Sequence, residues 1–224
     1  DTESDETGWE IRNAGDDSLV VSLGANTTFY LKTGLSTNTN YSCYVRVSTA
    51  PNCYANSNTD SVYTLANIPG TPTLSNPTTT TLKITIDVNS NPPSTEFAIQ
   101  ETGSGKYVNN TTGALQASED WQNYTNFGGA SGITVTGLSV DTQYTFKVKA
   151  RNGNNIETSF SPISEKYTLA NRPDALSLFN IGITSITVDV NPNGNPSNTT
   201  YAIRIDGGSY SNEYVQSNGS IGAS

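Results

Sequence analysis

Apolar and polar residues alternate along two well-separated stretches of the chain, and each stretch predicts a β-strand. In residues 82–88, and again in residues 144–150, every second residue is apolar. Because successive side chains of a strand point to opposite faces, this period of two indicates antiparallel strands with one buried face. Clusters of Asn, Pro, Gly and Ser, as in residues 89–94 and 191–197, predict turns. No stretch has the spacing of an amphipathic helix, so the pattern predicts an all-β protein with essentially no helix.

Two internal repeats show how the predicted strands are organised. The segment YTLANIPGTPTL, which starts at Tyr63, recurs 104 residues later as YTLANRPDALSL, which starts at Tyr167. The segment GLSTNTNYSCYVRV starts at Gly34, and its counterpart GLSVDTQYTFKVKA starts 103 residues later at Gly137. A repeat of about 100 residues matches the size of one β-sandwich domain.

These repeats divide the chain into one complete domain and two incomplete ones. Residues 69–170 are predicted to form the complete domain, residues 1–68 the second part of a domain, and residues 171–224 the first part of a further one. Part of a sandwich exposes an apolar inner face and unpaired strand edges, so each end needs a partner. Two hypotheses stay open for that partner: a neighbouring repeat of a longer chain, or a protomer that exchanges strands head to tail.

The repeats resemble the fibronectin type III domain over essentially the whole chain. A first strand follows YTLAN at Pro69 and Pro173, a second strand reads ITIDV or ITVDV, and a third reads EFAIQ or YAIRI. Each repeat also contains Leu-x-x-x-Thr-x-Tyr, which ends at Tyr41 and Tyr144. The family implies tandem, seven-stranded, immunoglobulin-like antiparallel β-sandwiches, in which these tyrosines form a tyrosine corner. Such repeats occur in tandem in large bacterial surface and extracellular proteins.

Charge and residue usage narrow the functional classes. Charged residues make up 14% of the chain and the net charge is −9, without any cluster of Lys and Arg. Nucleic-acid binding requires such clusters, and insertion into a membrane requires an apolar run of roughly 18 residues that this chain lacks. The chain contains no His, which removes the commonest catalytic base and metal ligand. We therefore predict a non-enzymatic extracellular or cell-surface protein without cofactor or metal, whose partner is itself.

The two cysteines are a candidate disulfide. Cys43 lies on the predicted strand that carries Tyr41, and Cys53 follows ten residues later, past a turn at Pro51. An extracellular location allows the bond, and closing so short a loop would stabilise the fold by roughly 2–3 kcal/mol. Two free thiols are the alternative, because Cys43 matches Phe146, a predicted core position.

Trp9 and Trp121 are candidate surface aromatics. The start of the chain, DETGWEIRNAG, resembles EDWQNYTNFGG, which begins at Glu119, so the two tryptophans are predicted to lie at equivalent places and to share a packing role. The alternative is a sugar-stacking surface formed with Tyr107, Tyr124 and Phe127. A candidate calcium site, for which a solvated loop is the simpler explanation, consists of Asp1, Glu3, Asp5, Glu6, Asp16 and Asp17.

The predicted function is mechanical. Rigid modules joined by short YTLAN-x-Pro linkers would extend a surface protein or build a filament, because the linker proline restricts the chain. The alternative is an adhesive or carbohydrate-binding module of a secreted protein, and aromatic side chains exposed in a row would favour it.

Overall fold

Antiparallel strands build the whole fold, which confirms the predicted all-β class. The computed structural model describes residues 8–50 and 53–222, and in this part of the chain the only helical element is one 3-10 turn, Gly129–Ser131. Among the described residues, no helix has the length and apolar character needed to cross a membrane. The strands fall into an N-terminal segment (residues 8–68), a central unit (69–170) and a C-terminal segment (171–222).

The N-terminal segment forms one antiparallel sheet. Its strands are β1 (Trp9–Asn13), β2 (Leu19–Leu23), β3 (Asn40–Ala50), β4 (Cys53–Asn56) and β5 (Asp60–Tyr63). The sheet order is β2-β1-β3-β4, and β5 pairs with the beginning of β3. The described residues of this segment form no second sheet that could cover the first.

The central unit contains two sheets that enclose a core. Its strands are β6 (Gly70–Ser75), β7 (Leu82–Asp87), β8 (Glu96–Glu101), β9 (Tyr107–Val108), β10 (Leu115–Gln116), β11 (Gln122–Asn123), β12 (Ile133–Val135), β13 (Gln143–Arg151) and β14 (Ser164–Tyr167). The smaller sheet has the order β12-β7-β6; the larger has the order β10-β9-β8-β13-β14, with β11 also paired to β8. All residues of this unit are described, and it has nine strands where seven were predicted; three of the nine are two-residue strands in the connection from β8 to β12.

The alternating residues of β7 and β13 form the centre of this core. Leu82 and Ile84 on β7 and Phe146 and Val148 on β13 are completely buried, while the alternate residues Thr85 and Lys147 are only half-buried. Burying a side chain of this size stabilises the fold by about 1.5–3 kcal/mol. The alternating apolar residues of the two strands therefore form the inner faces of the two sheets, which pack against each other.

The C-terminal segment repeats the beginning of the central unit. Its strands are β15 (Ser177–Phe179), β16 (Thr187–Asp189), β17 (Arg204–Gly207), β18 (Tyr210–Val215) and β19 (Ile221–Gly222). Strands β15 and β16 form one hairpin, and β17-β18-β19 form a separate sheet. Leu178 pairs with Val188 in the register in which Leu74 pairs with Ile84, so the hairpin β15–β16 is a copy of β6–β7.

Burial separates the central unit from both flanking segments. Every buried aliphatic or aromatic side chain of the described residues lies in the central unit, between Pro69 and Ala150. Leu74 is 8% exposed, whereas its counterpart Leu178 is 55% exposed, although the two lie at the same register of equivalent hairpins. The flanking segments therefore carry core-type sequences whose inner faces have no cover.

Candidate functional site

Asn38 joins the N-terminal segment directly to the central unit, and we call the contacts around it the upstream joint. It lies on the loop before β3 and is 3% exposed. Its Nδ2 donates to Thr95 Oγ1 at 2.8 Å, and its Oδ1 accepts from the backbone N–H of Gly153 at 2.9 Å. Its φ of +40° is a left-handed conformation that Asn adopts more readily than most residues. A single buried amide thus binds two loops of the next unit.

The linker of the upstream joint is held by a reciprocal pair of asparagines. The backbone N–H of Asn67 donates to Asn91 Oδ1, and Asn91 Nδ2 donates back to the carbonyl of Asn67, both at 2.8 Å. Asn89 Nδ2 donates to the carbonyl of Ile68 at 2.8 Å. Because these amides satisfy backbone groups of the linker, the linker is docked on the central unit and does not run freely past it.

A turn of the central unit closes the upstream joint from the other side. Asn152, which is 3% exposed, donates from Nδ2 to the carbonyl of Thr64 at 3.1 Å. Asn154 Oδ1 accepts from the backbone N–H of Tyr63 at 2.8 Å. The ring of Tyr63 lies so close to Gly153 that a Cβ at this glycine would overlap it. The joint therefore combines hydrogen bonds with close packing.

The same joint is built a second time between the central unit and the C-terminal segment. Thr199 Oγ1 donates to Asp141 Oδ2 at 2.6 Å. The backbone N–H of Asn171 donates to Asn195 Oδ1 at 2.7 Å, and Asn195 Nδ2 donates back to the carbonyl of Asn171 at 2.9 Å. These four residues of the downstream joint lie 103 or 104 positions after Asn38, Thr95, Asn67 and Asn91.

Both tyrosines of the Leu-x-x-x-Thr-x-Tyr motif contact the backbone five residues upstream. Tyr144 Oη accepts from the backbone N–H of Ser139 at 2.8 Å, and Tyr41 Oη accepts from Ser36 at 3.0 Å. A tyrosine corner makes this kind of contact. It fixes the loops that carry Asp141 and Asn38, and so it supports the joints from behind.

The structure contains both cysteines as free thiols, and the disulfide prediction is not confirmed. Cys43 lies opposite Asp60, whereas Cys53 lies opposite Ala50 near the far end of β3. Seven residues of extended strand, about 23 Å, separate those two positions along β3. A disulfide requires Cα atoms within about 7 Å of each other, so this register leaves the thiols too far apart.

Trp121 lies against two basic side chains. We call this group of residues the cation cluster; it consists of Lys149, Arg151, Glu119, Glu157 and Trp121. The Lys149 Nζ lies 5.1 Å and the Arg151 Cζ 4.6 Å from the ring centre of Trp121. Trp121 Nε1 donates to Glu119 at 2.9 Å. The indole is half-buried, and its ring makes cation–π contacts with basic side chains of its own unit.

The other aromatic side chains of the predicted sugar-stacking surface also contact residues of the central unit. Phe127 is 1% exposed, Tyr124 packs against the core, and the Lys149 Nζ lies 5.8 Å from the ring centre of Tyr107. These residues do not form the exposed row of aromatic side chains that would favour a sugar-binding surface.

Trp9 does not occupy the place equivalent to Trp121. It begins β1 and lies opposite Val47 on β3, just as Phe97 on β8 lies opposite Ala150 on β13. Strand β1 therefore fills the position beside β3 that β8 fills beside β13, whereas Trp121 precedes the short strand β11. The similarity of DETGWEIRNAG to EDWQNYTNFGG is misleading because it aligns two strands that lie at different positions in their sheets.

The acidic residues of the candidate calcium site are only partly described. Asp1, Glu3, Asp5 and Glu6 lie outside the described residues, and Asp17 is paired with Arg46 Nη2 at 3.0 Å. In the described part of the chain, no group of three or more His, Cys, Asp and Glu side chains could hold a metal ion.

The ion pairs of the cation cluster shift the pKa values of Lys149 and Glu119 in opposite directions. The Lys149 Nζ lies 2.6 Å from both Glu119 and Glu157. Burial lowers the pKa of Lys149, but its hydrogen bonds to the two carboxylates outweigh this effect and raise the pKa above the ordinary 10.5. The hydrogen bond from Lys149 lowers the pKa of Glu119 below the ordinary 4.5.

We expect Glu119→Gln to lower the free energy of unfolding of the central unit by about 1 kcal/mol at neutral pH, because the pair is only partly screened by solvent. A depressed carboxyl pKa stabilises the fold above 4.5, and this contribution is lost as the pH falls through the folded-state pKa. The difference between wild type and variant, measured by urea unfolding, should therefore shrink below pH 4.5. Glu165→Gln, at an exposed carboxylate on β14, is the control; a gap that stays constant into acid would contradict the coupling.

Comparison with known proteins finds similarity at the level of solved structures alone. No family model and no curated protein matches the chain. The FN1-FN3 domains of chicken CNTN1 have 12% identity and a TM-score of 0.38, and the match covers 72% of this chain and 55% of that structure. The fibronectin type III domain of human fibronectin type III domain containing protein 3 has 21% identity and a TM-score of 0.30, covering 46% of this chain and 86% of that one.

The central fibronectin-III array of RIM-binding protein has 17% identity and a TM-score of 0.31, and the match covers 83% of this chain and 67% of that array. All three matched structures consist of fibronectin type III domains. This chain spans about half of the CNTN1 structure, and the β-sandwich itself is established by the sheets of the central unit.

Proposed function

We propose that this chain is a non-enzymatic structural repeat segment of an extracellular surface protein or filament, in which polar joints hold successive units at a fixed orientation. The observation that carries the proposal is the duplication of the joint. The hydrogen bond between Asn38 and Thr95 recurs between Asp141 and Thr199, in the same place between the next two units. A connection that served only as a tether would not need the same polar contacts at both joints.

The physical properties of the joint suit a stiff spacer. Asn38, Thr95 and Asn152 are each at most 3% exposed, so opening the joint would break several buried hydrogen bonds at once. Each such bond contributes about 0.5–1.5 kcal/mol. Hydrogen bonds are directional, so they fix the angle between units more narrowly than an apolar contact of similar size would.

We also propose that residues 69–170 are a complete domain and that residues 1–68 and 171–224 are parts of domains completed head to tail. The contrast between Leu74 and Leu178 supports this division, because these equivalent leucines on equivalent hairpins are buried in the central unit and exposed in the C-terminal segment. A neighbouring repeat or a second protomer would supply the missing cover.

An extracellular location is supported by the composition of the chain and by its repeats. Only 14% of the residues are charged, and the surface is rich in Asn, Thr and Ser. Such a surface keeps a repeat protein soluble without strong nonspecific attraction to charged partners.

We expect Asn38→Ala to loosen the upstream joint without unfolding the central unit. The variant loses both side-chain hydrogen bonds of Asn38, together worth about 2 kcal/mol, which corresponds to roughly a thirty-fold increase in the population of open joints. NMR relaxation of backbone ¹⁵N nuclei measures the result: the N-terminal segment and the central unit should tumble together in wild type, and relative motion between them should increase in the variant.

Asn58→Ala is the matched control, since Asn58 is an exposed asparagine of the N-terminal segment away from the joint. It should leave the common tumbling time unchanged. Independent tumbling of the two parts in the wild-type chain would overturn the stiff-spacer proposal.

A further inference from the structure

A groove of about 580 Å³ lies in the N-terminal segment, beside the beginning of β3. Its apolar lining consists chiefly of Ile11, Leu19, Tyr30, Leu35, Tyr41 and Cys43. Phe29 and Leu31, on the same stretch as Tyr30, are 84% and 77% exposed. Apolar surface that is concentrated in this way marks a site that another part of a protein covers.

The central unit shows what fills the equivalent space in a completed sandwich. Leu138 and Phe146 are the counterparts of Leu35 and Cys43, 103 residues further along the chain. Both are buried in one cluster with apolar side chains of strands β6 and β7. The groove is therefore the space that a hairpin of the β6–β7 type occupies.

The chain contains such a hairpin with its inner face uncovered. Strands β15 and β16 repeat β6 and β7 in the same register, and Leu178 and Ile186 are each 55% exposed. One edge of β7 pairs with β12, whereas among the described strands β16 pairs with β15 alone. The hairpin thus lacks a facing sheet and one neighbouring strand.

Strand β1 decides which part of a partner the groove requires. Ile11 lies opposite Val45 on β3, as Ile99 lies opposite Val148 in the central unit. The N-terminal segment consequently has the central strands of its larger sheet already in place. What it lacks is the smaller sheet, which in the central unit begins with β6 and β7.

We infer that the groove of one copy of this chain binds the β15–β16 hairpin of a second copy. Leu178 and Ile186 of the hairpin enter the groove, and residues 29–32 lie along the free edge of β16, where β12 lies along β7. This inference rests on the proposed head-to-tail completion and specifies its strands and faces. The contact joins two different surfaces, so repetition produces a filament or a ring.

The two cysteines allow a direct test, because Cys43 lines the groove and Cys53 is exposed on β4. Two variants keep one thiol each, Cys53→Ser and Cys43→Ser. Each is reacted with a thiol reagent at protein concentrations below and above the onset of assembly, and sedimentation measures the assembly. Assembly should slow the reaction of Cys43 by on the order of tenfold and leave that of Cys53 nearly unchanged, since only a covered thiol is protected.

Ile186→Asp should abolish both assembly and the protection of Cys43, because it places a charge in the groove. Ile163→Asp is the matched control, as Ile163 is a 57% exposed isoleucine of the central unit. Hydrogen exchange of the β13 amides verifies that both variants keep the central unit folded. Assembly that survives Ile186→Asp would overturn the inference.

The outcomes separate this inference from the proposed function. Assembled material in which Cys43 reacts as fast as in the free chain would overturn binding of the hairpin in the groove. It would still allow head-to-tail completion through another surface. A chain that stays monomeric at every concentration would overturn both the docking and completion by a second protomer. Neither result would bear on the stiffness of the joints.

Discussion

Leu74→Ala should destabilise the central unit by about 2–5 kcal/mol, whereas Leu178→Ala should change the free energy of unfolding by less than about 0.5 kcal/mol in the unassembled chain. The two leucines occupy equivalent positions on equivalent hairpins, so local sequence and strand propensity are nearly the same. They differ in cover, since Leu74 is 8% exposed and Leu178 is 55% exposed. Truncating Leu74 leaves a cavity in a packed core, but truncating Leu178 removes a side chain that water already surrounds.

Hydrogen exchange measures each variant in its own unit. Amides of β13 report the effect of Leu74→Ala on opening of the central unit, and amides of β15 and β16 report the effect of Leu178→Ala on the C-terminal hairpin. Leu178→Ala serves as the control for the chemical change itself. A similar loss for both variants would mean that the hairpin β15–β16 is covered in the free chain, contrary to the exposure described above. Under assembly conditions, Leu178→Ala should weaken association, because the groove is its proposed binding site.

Gly113→Ala is expected to cost at least about 3 kcal/mol in the central unit. Gly113 has φ +69°, a region that costs an L-residue roughly 1–2 kcal/mol, and an added Cβ would overlap the backbone carbonyl oxygen of Thr134. The backbone cannot easily move aside, because the N–H of Gly113 donates to Asn109 O at 2.8 Å and its carbonyl accepts from Thr136 N at 3.0 Å. The glycine thus allows the β9–β10 turn to lie directly against β12.

Gly219→Ala is the matched variant in the C-terminal segment. Gly219 is the counterpart of Gly113 and has φ +79°, but nothing lies within 4 Å of the position of an added Cβ. The cost should therefore be limited to the conformational term of about 1–2 kcal/mol, and it should be confined to the turn between β18 and β19. Urea unfolding compares the two variants. Equal losses at both glycines would show that the contact with Thr134 contributes nothing.

The long strands of the central unit could be predicted from the sequence. The period of two in residues 82–88 and 144–150 matches β7 (Leu82–Asp87) and β13 (Gln143–Arg151) closely. Such strands are easy to identify because one of their faces is buried and the other is not, which forces the residues to alternate. The three short strands between β8 and β12 were missed, since two-residue strands are too short to show a period.

The joints were missed although their residues are visible in the sequence. Asn67 and Asn91 recur as Asn171 and Asn195 at the repeat distance, but asparagine in turns is so common that the repetition did not indicate a contact. The stiffness of the linker was attributed to its proline. In the structure, hydrogen bonds from side-chain amides to the linker backbone hold it in place.

The sequence alone determined the fold class, the repeat distance and the identity of the core strands, because these depend on which residues avoid water and on turn chemistry, both of which are local. Only the tertiary structure decided which strands lie side by side. It placed Trp9 beside Val47 instead of at the position of Trp121, and it separated Cys43 from Cys53 along β3. The physical reason is that strand pairing depends on which strand edge is free and which sheet face is uncovered when the chain folds. The residues of a single strand determine neither.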